Sequence, residues 1–120
     1  VIVKFSTDTA ITDVEPLVDI LLTLVYDGVN FGNTSTNYAA HRTALIPEEQ
    51  PLFDYFSQTF GGGVSGEPLR VSSLALVQRA AEILQAAQPK HEFHIIRTGG
   101  IASFKDVEES YSAGASLCQW

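Results

Sequence analysis

What most limits the fold of this chain is a switch in hydrophobic period that recurs along it. Short apolar or β-branched runs stand at residues 1–5, 28–32, 93–96 and from Ala115 onward. Between them the spacing changes. Val14, Leu17, Val18, Leu21, Leu22 and Val25 recur every three or four residues, as do Leu74, Val77, Ala81 and Leu84. That is the pattern of a helix with one apolar face. Strands separated by helices pair in parallel, because the helix carries the chain back to the end where the next strand starts. The sequence therefore predicts an α/β fold with a parallel sheet of about four strands. No internal repeat or domain boundary interrupts it.

Local signals divide the pattern further. Thr12 followed by Glu15 predicts a capping box at the start of the first helix, with Pro16 in its first turn. Asp27-Gly28 reads as its stop. Leu52, Phe53, Phe56 and Phe60 suit a short helix, and the helix containing Leu74 ends before Pro89. Ser103 with Asp106 predicts a last capped helix, with Val107 and Tyr111 facing inward and Gly114 just past its end.

Composition narrows the function classes. The formal charge of −7 argues against a nucleic-acid partner and suits solvated helix faces. The single cysteine, Cys118, can form no internal disulfide, and in an apolar strand it reads as a core residue. His41, His91 and His94 have no cysteine or carboxylate pattern that would make a metal set, and no Ser-His-Asp arrangement is legible. No apolar run approaches the roughly 20 residues of a membrane span, and no signal peptide is evident. Both ends fall in strand-like runs and 120 residues are few for an α/β barrel, so the chain is expected to be part of a longer one, cut at both ends.

In parallel α/β folds, ligands meet the loops at the C-terminal ends of the strands. Those loops here are Lys4-Phe5-Ser6, Gly32-Asn33-Thr34-Ser35, Gly63-Val64-Ser65-Gly66 and Thr98-Gly99-Gly100. Two glycine loops, each leading into a helix, suit a phosphate, since backbone N–H groups and the helix dipole both favour an anion; each is equally compatible with a tight turn. Lys4 is either a snorkelling lysine or a cation held beside a ligand that becomes negative during reaction. Asn33 and Thr34 offer a donor and an acceptor to a flat polar ring, or form a turn.

These loops, in this order, resemble those of the dihydroorotate dehydrogenases, particularly the quinone-dependent type. Val1-Ile2-Val3-Lys4-Phe5-Ser6 is similar to a family strand ending in a flavin-contacting lysine. Asp27-Gly28-Val29-Asn30-Phe31-Gly32-Asn33-Thr34-Ser35 resembles "DGV…NTT", and Gly62-Gly63-Val64-Ser65-Gly66-Glu67-Pro68-Leu69 resembles "GGLSGxPL". Ile95-Ile96-Arg97-Thr98-Gly99-Gly100-Ile101 resembles "IIGVGGI", and Gly114-Ala115-Ser116-Leu117-Cys118-Gln119 resembles "GASLVQ".

The resemblance implies the C-terminal part of a (β/α)8 TIM barrel, with residues 1–120 a partial FMN-binding domain. It implies oxidation of dihydroorotate to orotate in pyrimidine biosynthesis, with quinone as electron acceptor. Lys4 and Gly32 would lie against the flavin. Gly66 and Gly100 would present backbone N–H groups to the FMN phosphate and its neighbourhood, and Ser65 and Gly99 would also bind the cofactor. Asn33 and Thr34 would hold orotate. The family's base, a serine, would lie upstream, so no catalytic residue is expected here and the piece alone is expected to be inactive. Membrane association would come through an amphipathic N-terminal segment that this chain lacks. Val64 stands for a leucine and Arg97 for a glycine; Arg97 would sit either outside the barrel or toward the cofactor. Four strands cannot close a barrel, so self-association of the isolated piece is expected. Two other readings stay open: a non-catalytic half-barrel that binds a phosphate-bearing ligand or serves assembly, and an FMN barrel enzyme with another substrate.

Overall fold

Four parallel strands lie side by side in chain order, β1 (Ile2–Ser6), β2 (Gly28–Asn33), β3 (His94–Thr98) and β4 (Leu117–Gln119). This computed structural model describes residues 1–120. Helix α1 (Ile11–Thr23) connects β1 to β2, and α5 (Phe104–Ser112) connects β3 to β4. The long connection from β2 to β3 holds α2 (Tyr38–Ala44), α3 (Gln50–Thr59), a 3-10 turn over Glu67–Leu69 and α4 (Arg70–Ala87). Each crossover is helical, as a parallel sheet requires.

Strand residues alternate between two faces. Val29, Phe31 and Ile95 are buried on the helix side, where Val14, Val18 and Leu21 of α1 and Leu76, Val77, Ala80 and Ile83 of α4 meet them. Val3 and Phe5 of β1 pack against the same cluster, and the rings of Phe5 and Phe31 stack at 5.9 Å. Each large side chain buried this way contributes roughly 1.5–3 kcal/mol. The register pairs Lys4 with Asn30, and Asn30 with Ile96, so these three share the opposite face.

Several local expectations change. The Thr12–Glu15 capping box does not form, because α1 begins two residues earlier than that cap implies, with Ala10 as an uncapped N-cap. Glu15 instead pairs with Arg79 of α4 at 2.7 Å. Asp27-Gly28 is not the stop either: α1 ends at Thr23, and Val25 takes up a left-handed conformation (φ 57°). There Val25 N–H donates to the Leu22 carbonyl and Tyr26 N–H to that of Leu21, the two bonds of a Schellman motif.

In the middle connection, α3 contains Leu52, Phe53 and Phe56 as the spacing suggested, but it buries none of its residues. The preceding α2 carries no sequence signal strong enough to anticipate. The expected inward face of α5 is displaced by one position. Asp106 and Ser110 are buried and Tyr111 is exposed, because a polar partner, Arg97, lies beneath the helix. The Ser103–Asp106 capping box and the left-handed Gly114 after α5 do form.

Candidate functional site at the C-terminal ends of the strands

Because every strand runs the same way, all four C-terminal ends open at one end of the sheet. Lys4 lies two positions before the last residue of β1 and is exposed. Its register partner Asn30 is only 8% exposed, and the Asn30 Oδ1 is buried with no hydrogen-bond donor. A stranded acceptor of this kind costs roughly 1–3 kcal/mol unless something donates to it. Further along the same face, Gly32 lies against Thr98, whose hydroxyl donates to Gln119 Oε1 at 3.1 Å.

At the end of β2, Asn33 and the following Thr34 keep exposed side chains while their carbonyls are tied down. The Thr7 N–H and hydroxyl both donate to the Asn33 carbonyl at 3.2 Å, and the Ser6 hydroxyl donates to that of Thr34 at 3.3 Å. Ser35 then forms an antiparallel bridge with Val64, donating and accepting backbone bonds of 3.0 and 2.8 Å. Gly63 packs directly on Thr34. The Asn33-Thr34 loop and the glycine-rich loop are therefore joined, although some thirty residues apart.

Ser65 and Gly66 follow that bridge, both exposed. Gly66 has φ 77°, where other residues are strained, and the space a Cβ would occupy is open. Its carbonyl accepts from the Leu69 N–H at 3.0 Å, which leads the chain through the 3-10 turn into α4. The loop after β3 docks on that same helix start. Gly99 touches Leu69, and Gly100 (φ 69°) is so close to the Arg70 backbone that a Cβ would lie 2.3 Å from Arg70 Cα. The Ser73 hydroxyl donates to the Gly99 carbonyl at 2.9 Å. Two groupings result, residues 33–35 with 63–66 and residues 99–100 with 69–73, bridged by the 3-10 turn. Lys4 lies deeper along the sheet than either.

Sequence reasoning missed three features. Asn30 interrupts an otherwise apolar strand, a signal that could have been weighed. The second is a network of Asp8, Ser35 and His41. The Ser35 hydroxyl donates to Asp8 Oδ1, and His41 Nε2 lies 2.7 Å from Ser35 Oγ. The serine stands between the other two, whereas a hydrolytic triad needs the histidine there. This network braces the loop: Thr36 N–H donates to Asp8 Oδ2 at 2.8 Å and Asn37 N–H to Ser35 Oγ at 3.1 Å. Burial raises the Asp8 pKa, but the bonds from Ser35, Thr36 and Asn37 and the nearby His41 outweigh it, leaving the carboxyl below its ordinary value.

The third feature is the setting of Arg97. It faces the helices and lies outside the strand wall, fully buried. Beside it, Asp106 pairs with Arg70 Nε at 2.7 Å. Bonds from the Ser103 hydroxyl and the Ala102 and Ser103 N–H groups, with the charge of Arg70, overcome burial and hold the Asp106 pKa at about 2.

A family profile described as "Dihydroorotate dehydrogenase" matches residues 1–120. The chain belongs to the dihydroorotate dehydrogenase family. It is 34% identical over 116 residues to a dihydroorotate dehydrogenase (quinone) of Methylobacillus flagellatus, covering 97% of this chain and 30% of that protein. It is 30% identical over 120 residues to that of Kineococcus radiotolerans, covering 98% of this chain and 29% of the relative. The chain thus spans under a third of the length of the curated relatives it matches. The ligand-free dihydroorotate dehydrogenase of Eimeria tenella superposes with a TM-score of 0.76 at 24% identity, over 99% of this chain and 28% of that one. Its complex with ferulenol gives a TM-score of 0.72 at 25% identity, over 99% and 27%. The four-stranded parallel sheet and its helices are an arc of a TIM-barrel enzyme fold.

Dihydroorotate dehydrogenases are flavin enzymes, and the residues present here suit such a group. The orphaned Asn30 acceptor and the exposed Lys4 share one face of the sheet, and the open backbone at Gly66 stands at its C-terminal end.

Proposed function

We propose that this chain supplies much of the FMN and orotate site of a dihydroorotate dehydrogenase that oxidises dihydroorotate to orotate with quinone as acceptor. The observation that carries this reading is the joining of loops. Residues 33–35 and 63–66 are held together by the Ser35–Val64 bridge, at the end of the sheet where β3 delivers Gly99 and Gly100.

In this reading Lys4 and Gly32 lie against the cofactor ring, and Ser65, Gly66, Gly99 and Gly100 surround its phosphate. The backbone N–H groups of such loops suit an anion, and the start of α4 adds favourable dipole charge. Asn33 and Thr34 orient orotate, with carbonyls fixed from β1 so that their side chains are already placed; such positioning lowers the entropic part of the barrier. Lys4 holds a positive charge where negative charge accumulates on reduction. FMN itself, when bound, supplies the hydride acceptor and returns the electrons to quinone. No residue among the 120 is assigned as the base, and residues 1–120 on their own are proposed not to turn over.

The test is made on the full polypeptide. The purified protein is expected to show flavin absorbance, and Asn33→Ala to weaken orotate binding about tenfold or more with flavin content retained. A colourless protein that ignores added FMN would favour the non-catalytic half-barrel. Flavin retained with orotate affinity unaltered by Asn33→Ala would instead point to a different substrate.

A further inference from the structure

A guanidinium buried without a carboxylate in contact is costly, so its partners show what it is kept for. Arg97 is fully buried on the helix side of β3. Its Nε donates to Ser73 Oγ at 3.1 Å, and one terminal nitrogen donates to Ser110 Oγ at 2.8 Å and the Asp106 carbonyl at 3.3 Å. The other donates to the Arg70 carbonyl at 2.9 Å. Arg70 opens α4 and Asp106 lies in the first turn of α5, so the one cation grips the starts of both helices. The Ser73 hydroxyl that receives Nε donates onward to the Gly99 carbonyl at 2.9 Å. Arg97 is thereby tied to the loop after its own strand by way of α4. Burial lowers the pKa of the guanidinium, while the charge of Asp106 opposes the shift.

We propose that Arg97, acting with Ser73, is a positioning residue for the cofactor phosphate. It sets the spacing between the Gly99-Gly100 loop and the start of α4, and places a fixed positive charge behind both. Two of its contacts converge on this spacing, one through Ser73 to Gly99 and one to Arg70, on whose backbone Gly100 rests. The assignment rests on the FMN reading above and adds to it a residue where the resembling motif has glycine.

The experiment compares FMN with riboflavin, which has the same ring and no phosphate, by titrating the apo form of the full polypeptide. Ser73→Ala and Arg97→Met are expected to weaken FMN binding about tenfold while riboflavin affinity changes less than about twofold. A general loosening of the fold would lower both affinities together, and that result overturns the proposal. So does an FMN affinity that neither substitution alters. Should Arg97→Met fail to fold, Ser73→Ala decides alone, since it removes one hydroxyl and keeps the guanidinium. A wild-type protein that binds FMN no better than riboflavin removes the phosphate site before any substitution is made, and the proposal falls with it. Wild-type preference for FMN with unaltered variants overturns the role of Arg97 and leaves the site standing.

Discussion

Lys4 and Asn30 are register partners across β1 and β2, on the face turned away from the helices, and the Asn30 amide oxygen there is buried without a donor. In the function proposed above, Lys4 on this face lies against the flavin ring. An acceptor left unpaired beside a cation lowers stability until a ligand or the lysine itself donates to it.

The first prediction follows from that pairing. Asn30→Leu removes the stranded acceptor and keeps a similar volume, so the apo protein should gain roughly 1 kcal/mol. FMN affinity should fall at the same time. Thermal melts with and without FMN check both parts. Equal stabilisation of the two forms would mean that Asn30 does not face the ligand.

Acid stability should depend on Asp106. Its folded pKa lies at about 2, below the ordinary 3.8, so the folded state holds the charged form more strongly than the unfolded chain does. That contribution is present in full above the ordinary value, and it is lost as pH falls from there through about 2. Asp106→Asn should therefore destabilise the protein at neutral pH, and the gap from wild type should close in acid. Urea unfolding across this pH range measures it; a gap independent of pH would assign the effect to packing.

Helix α1 ends on a residue poorly suited to its conformation. Val25 has φ 57° and is 66% exposed, so a β-branched side chain bears left-handed strain and buries little in return. Val25→Gly should raise stability by about 0.5–1 kcal/mol, the relief of strain exceeding the added entropy of the unfolded chain. A lower melting temperature in the variant would show that Val25 contributes packing outweighing its strain.

The strands and the long helices were legible because their signals are local. The spacing of Val14, Val18 and Leu21 marks the buried face of α1 without knowledge of its partner, and Ser103 with Asp106 closes a capping box within four residues. Misreadings occurred where a distant residue intervened. Glu15 left its capping role for Arg79, and α5 turned Asp106 and Ser110 inward to meet Arg97. Helix α3 forms where Leu52, Phe53 and Phe56 suggested, with Phe60 just past its end. Its one ring contact with another element is Tyr38 against Phe53 at 6.2 Å, so its aromatic residues stay outside the core.

By itself the sequence determined the alternation of strand and helix, the parallel sheet that follows from it, and the small and polar residues at the strand ends. Periodicity and capping act over a few residues and need no partner. Only the tertiary structure decided that Arg97 lies on the helix side, that Asn30 is buried beside Lys4, and that Ser35 bridges to Val64. Each of these depends on the register and packing of segments distant in the chain. Which face a polar side chain occupies, and what it must bond there, is settled when those segments meet.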